Sequence, residues 1–161
     1  MRYRPVSVDY LIRAARITDV DRLVALWDES LPPDGGTGPM VAADLLRQLI
    51  YLPQASVLVA EEGREVVGAA VLSLRPSVRA GGFVGTVDLL AVDARRDVER
   101  VSRSLIEELL RSARNKGCAV VEADLPTDAT KRDLWERLGF TGAAPTIART
   151  VSADRAAARR A

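Results

Sequence analysis

One segment, residues 86–110, restricts the fold more than any other part of the sequence. The segment begins inside a predicted strand over 82–92. The apolar residues of this strand fall on both faces, as expected of a central strand covered on both sides. A polar turn at 93–96 follows, and then a helix over 97–116 with apolar residues at helical spacing. This apolar stripe consists of Val98, Val101, Leu105, Ile106, Leu109 and Leu110.

Side-chain spacing assigns faces to both elements. Successive residues of a strand point to opposite sides of a sheet, so a strict alternation is expected. One face carries Val84, Thr86, Asp88, Leu90 and Val92, and the other carries Val87, Leu89 and Ala91. On the solvated side of the helix, Glu99 with Arg103 and Glu107 with Arg111 stand four apart with the acid first, which favours ion pairs.

A second apolar run, residues 118–123, predicts another buried strand. The helix before it is expected to end at Gly117, because glycine readily adopts the left-handed conformation that closes a helix. A strand, a crossover helix and a further strand make parallel pairing the expected arrangement. The turn between the first strand and the helix can then present backbone N–H groups to an anion.

Composition restricts the chemistry. The chain of 161 residues has a net charge of +1, which gives no electrostatic case for nucleic acid or for an acidic membrane surface. It has no histidine, which excludes a triad with an imidazole base and a histidine-ligated metal site, and no metal is expected. The single cysteine, Cys118, is interpreted as a packed core thiol rather than a reactive one, and a chain without an internal disulfide fits the cytoplasm.

The remaining elements follow without a linker, so one domain is expected over 10–151, after a flexible lead-in at 1–9 and before a flexible basic tail at 152–161. Thr18 and Asp21 are predicted to form a capping box at the first helix. The other predicted elements are a strand at 10–16, a helix at 40–52, a hairpin of strands at 56–61 and 66–75, a helix at 130–138 and strand-like residues at 140–151.

This order resembles the GNAT superfamily of acyl-CoA-dependent N-acyltransferases. Four phrases carry the resemblance: IRAARITDVDRLVALW, VAEEGREVVGAAVLSL, VDLLAVDARRDVERVSRSLIEELLRSARNKG and DLWERLGF. It implies a mixed α/β (α+β) fold, with a central twisted sheet of about six to seven strands and about four helices on both faces. It also implies that the fourth and fifth strands splay apart around the pantetheine arm of coenzyme A, with the pyrophosphate at the N-terminus of the third helix.

The resemblance assigns donor-contacting positions, and several depart from the family pattern. Asp97 stands at the family's Arg or Gln position, and Val98, Arg100 and Ser102 stand at its glycine positions. The carboxylates of Asp97 and Glu99 stabilise the helix dipole by about 0.3–1 kcal/mol each but repel a phosphate, so weaker acetyl-CoA binding than an intact loop gives is expected. The full set of assigned positions is Leu90, Ala91, Val92, Asp97, Val98, Arg100, Val101, Ser102, Arg103, Asp128 and Trp135.

Two interpretations of the altered loop stay open. In the first, the acids serve only a well-capped helix. In the second, arginine side chains replace the missing backbone contacts to phosphate. The arginines concerned are Arg95, Arg96, Arg100 and Arg103.

Asp88 is the candidate general base, because it matches a position where the family often carries Glu or Asp and its apolar neighbours would desolvate it. The alternative is a structural carboxylate paired with a core arginine or a backbone N–H. Trp135 stands at the position of the family's acidic Tyr; indole cannot protonate a thiolate, so a packing role is predicted. Asp128 stands where the family often has an Asn that contacts the pantetheine arm, and it also suits the N-cap of the last helix.

The resemblance therefore implies an N-acyltransferase, in particular an N-acetyltransferase, that moves an acyl group from acetyl-CoA to an amine of a small molecule, peptide or protein by direct attack. The alternative is a GNAT-like module that has lost catalysis and serves binding or dimerisation, which keeps a homodimer open. The lost glycines and the Trp at the Tyr position favour the module. The intact order of elements favours the enzyme.

Overall fold

The structure is a computed structural model that describes residues 10–28 and 39–142. Its strands are β1 (Leu11–Ala14), β2 (Ala55–Glu62), β3 (Glu65–Ser77), β4 (Gly82–Val92) and β5 (Cys118–Ala123). Its helices are α1 (Val20–Asp28), α2 (Pro39–Tyr51), α3 (Val98–Asn115) and α4 (Ala129–Arg137), and a 3₁₀ turn (Ile17–Asp19) precedes α1. Across these two ranges, no helix is long and apolar enough to cross a membrane.

The strands form one mixed sheet in the order β1-β2-β3-β4-β5. Neighbours are antiparallel from β1 to β4, and β4 pairs with β5 in parallel, with α3 as the crossover. The predicted class and the predicted parallel unit are confirmed. The described ranges hold five strands, fewer than expected. Most of the predicted last strand at 140–151 lies outside these ranges, as do the predicted lead-in at 1–9 and the predicted tail at 152–161.

Apolar side chains are buried on both faces of the sheet. On one face, α1 and α2 pack against β2 and β3. On the other face, α3 packs against the sheet together with side chains of α4. The middle strand β3 serves both sides, since Val71 belongs to the first cluster and Leu72 to the second. Leu105, Ile106 and Leu109 of α3 are fully buried, and each stabilises the fold by about 1.5–3 kcal/mol, which fixes α3 against the sheet.

The capping box predicted for Thr18 and Asp21 is wrong. The carboxylate of Asp19 takes this role, since it accepts a hydrogen bond from the backbone N–H of Arg16 at 2.7 Å. Arg13 donates two further hydrogen bonds to Asp19, at 2.7 and 3.0 Å, and its guanidinium holds the pKa of that carboxyl below its usual range. The chain turns two residues earlier than predicted, with Arg16 in place of Thr18 as the N-cap, so a different acid reaches the backbone.

One of the two ion pairs predicted on the outer face of α3 is present. Arg103 lies 3.3 Å from Glu99, as the spacing indicates. Arg111 instead lies 3.0 Å from Glu108, three residues away, so the predicted pair with Glu107 is wrong. Residues three and four apart are both neighbours on a helix, and the spacing alone does not choose between them.

β5 is less buried than its sequence predicts. Within the described part of the chain, Ala119, Val120 and Glu122 are exposed. Cys118 is half-buried, and desolvation raises the pKa of its thiol, which agrees with the predicted packed, unreactive side chain.

Candidate active site

The carboxyl end of β4 separates from β5. Their pairing runs from Phe83 opposite Cys118 to Val87 opposite Ala123, and it ends there. The strand β4 continues through residues 88–92, and among the described strands 89–92 pair with β3 alone. We call this opening between β4 residues 88–92 and the end of β5 the fork. Backbone groups on one side of β4 are therefore available at the fork.

A β-bulge marks the residue at which the two strands part. Leu72 of β3 pairs with Val87, and Val71 pairs with Leu89, which leaves Asp88 without a partner in β3. The bulge shifts the alternation of faces, because Val87 packs on the α3 side of the sheet together with Leu90. The strict alternation predicted along this strand is therefore wrong at Val87. Bulges of this kind are frequent beside active sites, where they redirect a side chain.

Asp88 is exposed, so the predicted desolvation of this carboxylate is wrong. The bulge and the end of β5 leave it beside open space rather than among its apolar neighbours in sequence. The alternative, a structural carboxylate paired with an arginine or a backbone N–H, is also not observed. Within the described ranges, neither kind of group contacts Asp88. Asp88 thus stands at the mouth of the fork as a solvated carboxylate.

Leu90, Ala91 and Val92 line the far part of the fork. Their side chains pack on alternating sides of the sheet: Ala91 toward α1 and α2, and the other two toward α3. These apolar anchors fix the backbone whose polar groups border the opening. The three residues assigned to donor contacts from sequence thus lie together with Asp88.

The N-terminus of α3 is closed by its own carboxylate. Asp97 is the N-cap, and its Oδ1 accepts a hydrogen bond from the backbone N–H of Arg100 at 3.2 Å. Glu99, in the first turn, lies 3.3 Å from Arg103 and 3.2 Å from Arg137. This is the well-capped helix that the sequence offers as one interpretation.

The arginines of the second interpretation are engaged with protein groups. Arg95 donates to Asp93. Arg96 lies 3.1 Å from Glu62 and 2.9 Å from Glu65. The remaining two lie in the first turns of α3: the Arg100 guanidinium stacks 5.9 Å from the ring centre of Tyr10, and Arg103 donates to Glu99 and to the carbonyl of Arg137. A phosphate would have to compete with these contacts.

Ser102 has an unsatisfied hydroxyl in the second turn of α3. Its side chain is 1% exposed, and its Oγ has no hydrogen-bond partner among the described residues. Val101 beside it is fully buried against Gly68 of β3. A buried hydroxyl without a partner is unfavourable, and this one has almost no surface exposed to solvent or to a ligand.

Asp93, which the sequence analysis places only in a turn, holds the connection between β4 and α3. Its carboxylate is 2% exposed and accepts hydrogen bonds from the backbone N–H of Arg95 at 3.0 Å and from the Arg95 guanidinium at 2.8 Å. Arg22 of α1 adds a third donor at 3.3 Å. The Arg95 guanidinium, above all, holds the pKa of Asp93 far below its usual range. An Asp directly after a strand is a turn signal, but nothing in the sequence points to Arg22.

The two assigned residues of α4 have structural contacts. Asp128 accepts a hydrogen bond from the backbone N–H of Thr130 at 2.7 Å and is the N-cap, as predicted. Trp135 is half-buried and meets Phe140 edge to face, with ring centres 4.8 Å apart. Its ring belongs to the apolar cluster beneath α3, in agreement with the predicted packing role.

Comparison with known proteins identifies the fold. The chain resembles an aminoglycoside N-acetyltransferase solved in complex with CoA, with a TM-score of 0.78 and 19% identity over 93% of this chain and 99% of that one. It resembles glucosamine-6-phosphate N-acetyltransferase from Arabidopsis thaliana, with a TM-score of 0.70 and 17% identity over 89% and 99%. An acetyltransferase from Trypanosoma brucei gives a TM-score of 0.66 and 25% identity over 89% and 100%. No curated protein sequence matches the chain.

The sequence itself identifies the family. The model of the Acetyltransferase (GNAT) family matches residues 20–140, well over half of the chain. This range includes the fork, the bulge at Asp88 and the whole of α3. The assignment favours the enzyme over the non-catalytic module. The chain belongs to the GNAT family and is an N-acetyltransferase.

Proposed function

We propose that this enzyme transfers an acetyl group from acetyl-CoA to an amine by direct attack, with the reacting groups at the fork. The observation that carries the proposal is the parting of β4 and β5 at a bulged, exposed aspartate. Ligands of open α/β sheets bind outside the carboxyl ends of strands, and the fork lies at such an end. The reducing cytoplasm, which a single cysteine fits, is the proposed location.

The residues of the fork fit the arm of an acyl-CoA better than its diphosphate. Backbone groups along 88–92 that have no partner among the described strands can pair with the amides of a pantetheine arm. At the diphosphate end, the Asp97 carboxylate already accepts the N–H of Arg100. The bound donor would supply the activated acyl group.

Asp88 is proposed as the general base. An amine attacks only as the free base, so a group at the fork must accept its proton, directly or through a water. Because Asp88 is exposed, its proposed contribution rests on its position beside the acyl group. Backbone groups of residues 90–92 are proposed to orient the acyl carbonyl.

The proposal is tested by measuring acetyl transfer from acetyl-CoA to a panel of amines. The panel begins with amino sugars, because two of the similar structures are N-acetyltransferases named for an aminoglycoside and for glucosamine-6-phosphate. It continues with polyamines and with peptides that have free N-termini or lysines. Transfer to no acceptor, together with no acetyl-CoA binding by calorimetry, would favour the non-catalytic module.

Asp88→Asn is expected to lower kcat by about 10²–10⁴-fold, since it keeps the shape and removes the base. Asp44→Asn is the matched control, because Asp44 is also exposed and lies on α2, which carries none of the positions assigned to donor contacts. Trp135→Phe should change kcat only as far as it changes the melting temperature, since an indole does not act as an acid. Equal kcat in the wild type and in Asp88→Asn would remove Asp88 from the mechanism.

A further inference from the structure

Asp97 places a carboxylate at the start of α3. The backbone N–H groups of a first helical turn attract anions. One of them, the N–H of Arg100, already donates a hydrogen bond to Oδ1 of Asp97, with 3.2 Å between the nitrogen and the oxygen. No arginine or lysine pairs with Asp97 in the described part of the chain. Glu99, two residues later, differs in this respect, because two guanidinium groups lie within 3.3 Å of it.

We propose that Asp97 determines donor selectivity: its carboxylate disfavours the charged diphosphate of coenzyme A while leaving the uncharged pantetheine arm unaffected. This inference rests on the proposed function, in which the arm enters the fork and the diphosphate approaches α3. The arm has its own contacts to gain there, at the backbone of 88–92, which has no partner on the fork side among the described strands. The enzyme should therefore discriminate only weakly between CoA and pantetheine.

Val98 and Arg100 add to the effect by shape rather than by charge. Each has a side chain in the turn that a diphosphate would have to approach closely. The Arg100 guanidinium is drawn toward the Tyr10 ring, and its backbone N–H is already bonded to Asp97. Removing the Asp97 charge alone should thus raise the affinity for CoA, but not to the level expected of a loop with glycine at positions 98 and 100.

The test is calorimetric titration of the wild type and variants with two probes, CoA and pantetheine. Asp97→Asn removes the charge and keeps a good N-cap, so α3 stays intact. Repulsion between one carboxylate and a diphosphate a few ångströms away predicts about tenfold tighter CoA binding in Asp97→Asn. Pantetheine binding should stay within about twofold, because the arm has no charge to repel.

The matched control is Glu107→Gln, which removes the same charge from an exposed position further along α3. It should leave the affinity for both probes unchanged within about twofold, because screening by salt weakens distant surface charges. Raising the salt concentration should also narrow the difference in CoA affinity between Asp97→Asn and the wild type. If Asp97→Asn unfolds, Asp97→Ser supplies another N-cap residue without the charge.

Each result separates the two proposals. CoA affinity in Asp97→Asn that matches Glu107→Gln, or a gain that is equal for CoA and pantetheine, would overturn the role of Asp97 and leave the proposed function standing. If neither probe binds the wild type or any variant, the proposed donor is wrong and the selectivity inference falls with it.

Discussion

Asp93 carries its charge inside the protein because two arginines donate to it. The backbone N–H and the guanidinium of Arg95 donate from the same turn as Asp93. Arg22 donates from α1, and its guanidinium also donates to the carbonyl of Val66. One carboxylate thereby fixes the turn between β4 and α3 and ties it to a helix on the opposite face of the sheet. Removing one partner of such a network leaves buried groups unsatisfied.

Asp93→Asn should lower the free energy of unfolding by about 1–3 kcal/mol at neutral pH, as expected when a buried group loses its charged hydrogen bonds. The pKa of Asp93 is lowered in the folded state, so its contribution is fully present above the pKa of the unfolded chain, about 3.9, and is lost as the pH falls through the folded value. The variant should therefore lose less stability than the wild type between neutral and strongly acidic pH.

Urea unfolding at several pH values measures both effects. Asp44→Asn is the control, because the pair of Asp44 with Arg47 is exposed on α2, and such pairs contribute about 0–1 kcal/mol. A variant of Asp93 with wild-type stability and wild-type acid sensitivity would show that the turn does not depend on this carboxylate.

At the scale of elements, the contact between β3 and α3 depends on the absence of a side chain. A Cβ added at Gly68 would lie 2.8 Å from Cγ1 of Val101 and 3.1 Å from Cδ1 of Leu105. Val101 is fully buried and β-branched, so its side chain has little freedom to move away. The close approach of this strand to the helix thus requires glycine.

Gly68→Ala should lower the free energy of unfolding by about 1–3 kcal/mol, the usual effect of overpacking a core. Gly82→Ala is the control, because a Cβ there would meet no atom within 4 Å. Thermal and urea unfolding of both variants give the comparison. A Gly68→Ala protein as stable as Gly82→Ala would mean that α3 shifts to make room without loss of packing.

The elements themselves could be read from the sequence, because their apolar spacing is regular and glycines mark their ends. Gly117, at φ +84°, and Gly139, at φ +92°, both follow helices where predicted. The bulge at Asp88 could not be read, since Val87 and Leu89 are apolar and fit a regular strand equally well. Its position is set by the pairing of β4 with β3, which is a tertiary property.

Some features of the candidate site could be predicted from the sequence and others could not. The cap formed by Asp97 follows from its place before an apolar stripe, so local sequence was enough. The pairing of Asp93 with Arg22 joins residues far apart in the chain, and no local pattern reports it. Desolvation of Asp88 was predicted from its apolar neighbours in sequence, but exposure depends on where β5 ends.

For the whole molecule, β4 is the strand on which both the fold and the site depend. It pairs with β3 at every residue except Asp88, pairs with β5 over its first half only, and leads through a short turn into α3. Helices cover the sheet on both faces, and at the fork the end of β4 has no neighbour on one side among the described strands. The opening begins where the pairing of β4 with β5 ends, at Val87 and Ala123.

The half-paired end of β4 should be visible in the exchange of its backbone hydrogens with solvent. Beyond the bulge at Asp88, alternate N–H groups of residues 89–92 are expected to point toward β3 and to be bonded there, while those between them point into the fork. Hydrogen exchange followed by NMR should therefore show slow and fast amides in alternation along this stretch, and CoA should slow the fast set. Residues 69–71 of β3, paired on both sides, provide the slow reference. Uniform protection of residues 88–92 before any ligand is added would mean that the fork is closed in solution, and that acyl donors must first separate β4 from what covers it.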